Sequence, residues 1–353
     1  MLDQQGRKIP IRDIATKAGV SPTAVSRYLN ASGYVSQEKC AAISRALQEL
    51  KARPEEEPPS VRGRNRRVFA FLSPPLTPGS NMQFAAMSSF FSDAAKSRGY
   101  STRVYPANLA ERTLTDVLRQ IMEDHPSGIL IPVVPMMELD RQTQRFIQES
   151  ETPIVFLSEF LHPYPRINSI INNIDQGIGM AVAHLREQGC SRLALLTPPP
   201  TQSKSAALMQ AAFRQYAQEA DWPDNCMVCE FPWKNPTFSA AGYQCARQAF
   251  TRDPNLDGII GWVDSYTAGI LWYLYEIGKR VPEDVKIITM NEDYAPYLCP
   301  PLTTISYPNQ TLCTEAVEML VRLQSPKERE NVKHVYISPR FTVRRSSDPD
   351  FPL

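Results

Sequence analysis

No stretch of this 353-residue chain runs for 18 or more apolar residues, so no membrane-spanning helix is expected. Its first ten residues, MLDQQGRKIP, lack the apolar core of a secretory signal, which makes a cytoplasmic protein the expectation. Catalytic signatures are missing too: there is no P-loop, no GxGxxG after a strand-like run and no GxSxG elbow. Histidine is scarce. His125, His162, His184 and His334 lie far apart and form no metal-type pair. The seven cysteines are odd in number and follow no disulfide framework, so they are expected to be reduced. Cys226 and Cys229 make one CxxC, but no second CxxC or His pair is near to complete four zinc ligands, and CMVCEF alternates like a strand. The reading is therefore a non-enzyme with no metal and no cofactor.

What is present is a chain of ordinary globular composition, 42% apolar and 21% charged, too long for one core and sized for two or three domains. Charge is unevenly spread. Residues 1–67 hold 13 Lys/Arg against 7 Asp/Glu, whereas the remainder holds 25 against 30. A basic piece on a mildly acidic body points to a polyanion partner for that piece alone.

The basic piece reads as three short helices. Residues 9–18 (IPIRDIATKA) place Ile11, Ile14, Ala15 and Ala18 on one face. Gly19 then supplies a turn and Val20 plugs the angle. Ser21 is a natural N-cap, with Pro22 at the first helical position. Ala24, Val25 and Leu29 turn inward, which leaves Thr23, Ser26, Arg27 and Asn30 outside. Ser36 caps a third helix, 37–51, with Cys40, Ile43, Leu47 and Leu50 as its apolar stripe. The expected unit is an all-α helix-turn-helix head, residues 1–50. Residues 51–67 (KARPEEEPPSVRGRNRR) are rich in Pro and Glu and read as a linker. From Val68 strand-like runs alternate with helix-like segments, which predicts an α/β body of two doubly wound lobes with parallel sheets. The lobes are expected near 68–165 with 306–328, and near 166–305 with 329–347. Ligands of such folds bind where the strands end, in the cleft.

The head IRDIATKAGVSPTAVSRYLNASGYVS resembles that of the LacI/GalR family of bacterial transcription regulators in length, turn and order of apolar positions. The resemblance extends along the body through KSRGY (96–100), SGILI (127–131), INSIINNIDQG (167–177), HLREQGCSRLALLT (184–197), VPEDVKIITMNED (281–293), CPPLTTI (299–305) and FTVRRSS (341–347). It implies a regulator, a repressor by expectation, that binds a double-stranded DNA operator as a homodimer. It also implies a periplasmic-binding-protein-like body whose cleft takes a small-molecule effector. Two other readings stand beside it: a small-molecule binding protein of periplasmic-receptor type with no DNA function, and an enzyme.

By the family's pattern, Pro22, Thr23 and Arg27 read base edges, with Tyr34 a further contact. Ser21, Ser26, Asn30 and Ser36 are placed for phosphates. Family members follow the third helix with a hinge helix whose leucine wedges into the minor groove. Here Val61 takes the leucine's place, Pro58 and Pro59 oppose the helix, and Glu55, Glu56 and Glu57 oppose close approach to phosphates. In the cleft, the family's sugar-binding arginine position holds Met209, and its two aspartate positions hold Ser158 and Asn291. Asp264 survives, Asn81 and Phe84 match an element near the first strand, and Trp233 and Phe238 offer an aromatic wall. Met209 also reads as simple core filler. This set suits a ligand that is sugar-like or less polar.

Overall fold

The computed structural model describes residues 11–29, 35–52, 67–73, 81–107, 112–133, 137, 139–158, 166–219, 225–232 and 237–351. The chain divides into two units, Met1–Asn65 and Arg66–Leu353.

In the first unit, helices α1 (Ile11–Ala18), α2 (Pro22–Leu29) and α3 (Gln37–Ala52) pack around Ile14, Ala15, Val25 and Ile43. Ile14, Val25 and Ile43 are fully buried, and Ala46 joins them. Gly19 adopts φ +63°, a left-handed conformation that glycine reaches without the Cβ penalty. It lets the Val20 N–H close α1 onto the Ala15 carbonyl at 3.0 Å. The Ser21 Oγ accepts from the Ala24 N–H at 3.3 Å, and this cap starts α2.

The second unit holds β1 (Val68–Ser73), α4 (Asn81–Ser97), β2 (Ser101–Pro106), α5 (Leu114–Glu123), β3 (Gly128–Pro132), α6 (Arg141–Glu149), β4 (Ile154–Ser158) and β5 (Ser169–Asn172). Then come α7 (Ile174–Glu187), β6 (Leu193–Thr197), α8 (Lys204–Glu219), β7 (Cys226–Glu230), α9 (Phe238–Arg252), β8 (Gly258–Gly261), α10 (Asp264–Glu276) and β9 (Lys286–Met290). The chain continues through β10 (Thr303–Ser306), α11 (Asn309–Arg322), α12 (Pro326–Arg329), β11 (His334–Ile337) and β12 (Arg340–Thr342).

Two six-stranded sheets result, ordered β11-β5-β4-β3-β1-β2 and β12-β10-β9-β8-β6-β7. Among the described residues every neighbouring pair is parallel except β10 with β12. Such sheets bury both faces, which is why their strands are near-continuous apolar runs. In β1, Phe69 and Phe71 point into the core shared with α4 and α11, while Ala70 and Leu72 point into the core under α5. Each large side chain fully buried in this way contributes about 1.5–3 kcal/mol.

The lobe boundaries differ from those expected. β5 (169–172) lies in the first sheet, as does β11, which pairs with it from His334↔Ser169 to Ile337↔Asn172. The first lobe therefore extends past 166 and takes back 334–337, and the chain returns to the second sheet only at β12. Both misplaced strands are four residues long. Runs that short carry too little alternation to say which sheet they join.

Candidate nucleic-acid interface and effector cleft

On the head, Pro22, Thr23 and Arg27 are exposed along one side of α2, and Ser26 is half-buried between them. Spacing of four residues puts Thr23 and Arg27 one above the other. The opposite side sends Val25 into the core, so the helix cannot rotate the stripe away from solvent. No acidic residue occupies the first turn of α2, leaving the positive end of the helix dipole uncompensated for an anion. Ser21, exposed, is engaged through its Oγ in the cap. Ser36 is half-buried, and its carbonyl accepts the Cys40 N–H at 2.9 Å to open α3. Asn30, Tyr34 and Val61 lie outside the described residues, as does the linker from 53 to 66.

In the body, the chain passes between lobes after β5, after β10 and between β11 and β12. β5 and β10 hand the chain over from their carboxyl ends, so the carboxyl edges of the two sheets flank the crossings. The Tyr307 hydroxyl donates to the Asn173 carbonyl at 2.9 Å, tying two crossings together. A cavity of about 520 Å³ opens beside them, lined by Phe90, Asn291, Asp293, Ser306 and Arg340 among others. Amide, carboxylate, hydroxyl and guanidinium groups in one cavity can hydrogen-bond a ligand that carries both donors and acceptors.

Asn291 is the cleft residue whose backbone explains its identity. It follows β9 directly, at φ +67°, and Asn tolerates the left-handed region better than other residues with a Cβ. Its N–H donates to the Ile305 carbonyl at 3.0 Å, which fixes the loop that enters the cavity. Phe238, half-buried at the start of α9, meets Trp262 edge-on with ring centroids 5.9 Å apart. Phe84 is half-buried against the first-lobe core. Asn81 opens α4 and Ser158 closes β4. The side chains of those two, and the whole of Trp233, lie outside the described residues.

Of the expected cleft residues, Met209 answers to its core-filler reading, and Asp264 requires correction. Met209 is fully buried in the second-lobe core, flanked on the inner side of α8 by Ala206, Ala212 and Phe213. It fills the core and cannot reach a ligand, because helical spacing turns position 209 inward with those neighbours. Asp264 is only 2% exposed. Its carboxylate accepts the N–H groups of Ser265 at 2.7 Å, Tyr294 at 2.6 Å and Ala295 at 3.1 Å. It pins the loop after Asn291 to the start of α10, and its acceptor sites are occupied by backbone.

Burial raises the Asp264 pKa above its ordinary value of 3.8, against the opposing pull of those backbone donors. A raised folded pKa means that the folded state binds the proton more tightly than the unfolded chain. The contribution to stability is thus present below about pH 4 and lost as pH rises through the raised folded value. Asp264→Asn is expected to be less stable overall, since its NH2 must face backbone donors, yet to lose less stability than the parent as pH rises above about 4. Urea midpoints across that rise check this; parallel pH profiles would contradict it.

The sequence reading missed Glu292 and Arg344. Burial works against the Glu292 charge, but the Arg344 guanidinium and the Ser306 and Thr304 hydroxyls outweigh it and hold the carboxyl below its usual pKa. Arg344 also donates to the Leu302 carbonyl at 2.8 Å. The pair clamps the β9–β10 loop to the returning C-terminal segment. The signal was in plain view, an acid in MNED and an arginine in FTVRRSS, but nothing in linear order connects positions 52 residues apart.

Residues 10–55 match the model of the bacterial regulatory proteins of the lacI family, and residues 182–347 match that of the periplasmic binding protein-like domain. An HTH-type transcriptional repressor PurR of Vibrio atlanticus is 24% identical over 338 residues, covering 96% of this chain and 98% of that protein. A ribose operon repressor of Bacillus subtilis is 28% identical over 314 residues, covering 88% and 90%. Among solved structures, the lac repressor dimer bound to operator and the anti-inducer ONPF superposes with a TM-score of 0.69 at 22% identity, covering 97% of this chain and 99% of that one. A ribose-bound LacI family regulator from Enterococcus faecium gives 0.65 at 20% identity, covering 80% and 99%.

Proposed function

The chain belongs to the LacI/GalR family of bacterial transcription regulators, and we propose that it represses transcription by holding an operator with two heads whose affinity is set by a small molecule in the body's cleft. It is a DNA-binding regulator with an effector-binding domain. The observation that carries the proposal is the stripe Pro22, Thr23 and Arg27, held outward by the buried side of α2. Arg27 donates to guanine in the major groove. Thr23 adds a polar contact, and Pro22 offers only an apolar touch to a thymine methyl.

One head presents too small a surface for tight specific binding, so the operator is read by a homodimer and carries two related half-sites. The PurR and ribose operon relatives are named as repressors, which favours repression over activation and a regulator over an enzyme. No helix among the described residues is long and apolar enough to cross a membrane, and the regulator works beside the chromosome in the cytoplasm. Solved neighbours hold cellobiose and ribose. In this chain the arginine position of the family's sugar site holds the buried Met209, so the effector is sugar-like or less polar, and Asn291 and Arg340 are among the polar groups the cavity offers it.

Genome-wide selection of bound fragments by the purified full-length protein tests the proposal. A partly symmetric motif is the expected result, with neighbouring genes that indicate the effector. Uniform recovery of fragments without a motif would leave only a basic head with no sequence readout, and would overturn it.

A further inference from the structure

The CxxC of the sequence is not a thiol pair. Cys226 and Cys229 both lie in β7, and side chains three positions apart on a strand point to opposite faces. Cys229 meets Cys245 of α9 instead. Both are fully buried, and their contacts are reciprocal. The Cys229 Sγ lies 3.5 Å from the Cys245 carbonyl oxygen, and the Cys245 Sγ lies 3.2 Å from the Cys229 carbonyl oxygen. Each sulfur therefore lies against the other residue's backbone, which sets the two thiol side chains next to each other between β7 and α9.

A second feature points to the same place. Tyr266 of α10 is fully buried, and its hydroxyl makes no direct hydrogen bond to nitrogen or oxygen among the described residues. Buried hydroxyls are nearly always paired. This one faces Cys245, where it can donate to a sulfur anion or to an oxygen newly placed on sulfur.

We propose that Cys229 and Cys245 form a modification site for a hydroperoxide, closing to an intramolecular disulfide that ties β7 to α9 and stiffens the segment that carries Phe238, a residue expected in the effector cleft. The Cys229 thiolate attacks the terminal peroxide oxygen. The O–O bond breaks, Cys229 becomes a sulfenic acid, and the leaving oxygen takes up the thiol proton to depart as alcohol or water. The Cys245 thiolate then attacks the Cys229 sulfur. The S–S bond forms as the S–O bond breaks, and hydroxide leaves as water with the Cys245 proton. Two electrons pass from the thiols to the peroxide. A dithiol reductant reverses the change through a mixed disulfide.

The order of attack follows from the surroundings. A hydrogen bond from Cys245 draws the Cys229 thiol down despite its burial, whereas burial pushes Cys245 well up. Cys229 is thus the first nucleophile and Cys245 the resolving thiol. Access comes from the sheet edge. Among the described residues β7 is the outermost strand, bonded to β6 alone, and edge elements open locally more readily than central ones. The bond would close the segment 229–245, which delivers Phe238 to Trp262. This effect on the cleft rests on the cleft reading; formation of the bond does not.

The test treats the native full-length protein with hydrogen peroxide, alkylates the remaining thiols and maps the peptides by mass. The expected result is a Cys229–Cys245 cross-linked peptide, loss of two of the seven free thiols, and recovery of both with dithiothreitol. Cys226→Ser leaves the cross-link in place, and Cys245→Ala leaves Cys229 as a sulfenic acid trapped by dimedone. Thiol loss confined to the exposed Cys299, or a cross-link that joins Cys226, would overturn the site. Hydrogen exchange tests the consequence separately: slower exchange across 229–245 in the oxidised form is expected, and unchanged exchange would overturn the link to the cleft while leaving the bond.

Discussion

Replacing Gly269 by alanine is expected to destabilise the body by about 3 kcal/mol or more, the upper end of what overpacking costs. A Cβ at this position in α10 would meet the Ser239 carbonyl oxygen of α9 at 1.7 Å and the Tyr243 nitrogen at 2.7 Å. The approach is repeated in reverse at Gly242 of α9, where a Cβ would meet the Tyr266 carbonyl oxygen at 1.9 Å. Both obstacles are backbone, so no side chain can swing aside and the two helices must separate. That separation would loosen Tyr243 against Tyr273, whose rings now meet edge-on at 5.4 Å. Alanine recovers about 1 kcal/mol of helix propensity relative to glycine, which is too little to offset the lost packing. Urea unfolding followed by tyrosine and tryptophan fluorescence gives the comparison. A midpoint equal to that of the parent would show that the helices are not held at this distance.

Arg27→Ala is expected to weaken binding to the selected operator by about 1–3 kcal/mol, roughly 5- to 150-fold. The loss should appear as relaxed preference at one base pair in each half-site, because a bidentate guanidinium–guanine contact discriminates that pair. Folding of the head should be unaffected, since Arg27 is exposed while the core of the unit rests on Ile14, Val25 and Ile43. Binding to random DNA should change little. Titrations on the selected site, on single-base variants of it and on unrelated duplex separate these outcomes. An equal loss on all duplexes would mean that Arg27 touches phosphate alone, and base readout would then fall to Thr23.

The head was legible in the sequence almost to the residue, because its determinants are local. A glycine that must turn left, a Ser-Pro helix start and apolar positions at helical spacing are read within a few residues of one another. The parallel strands were legible for the same reason: fully buried runs such as VFAFLS and LALLT declare themselves without their partners. Sheet membership was not. Whether SIIN and HVYI join the first sheet or the second depends on pairing across some 165 residues, and a four-residue strand holds no record of its neighbour.

The cleft divides along the same line. Asn291 could be picked from linear order, and its left-handed backbone gives the physical reason for an asparagine there. Whether a side chain faces a ligand or the core depends on how a helix is rotated against its sheet. Linear order therefore left Met209 open between ligand and core, where it proves to be core, and it placed at a ligand an Asp264 that is spent on three backbone donors. The Glu292–Arg344 clamp and the Cys229–Cys245 contact exist only because the folded chain brings distant segments together. The sequence by itself determined the elements and the outward stripe of α2, since both follow from short-range periodicity and sterics. Only the tertiary structure decided the lobe boundaries, the lining of the cleft and the buried polar partnerships, since these follow from long-range packing that no local pattern encodes.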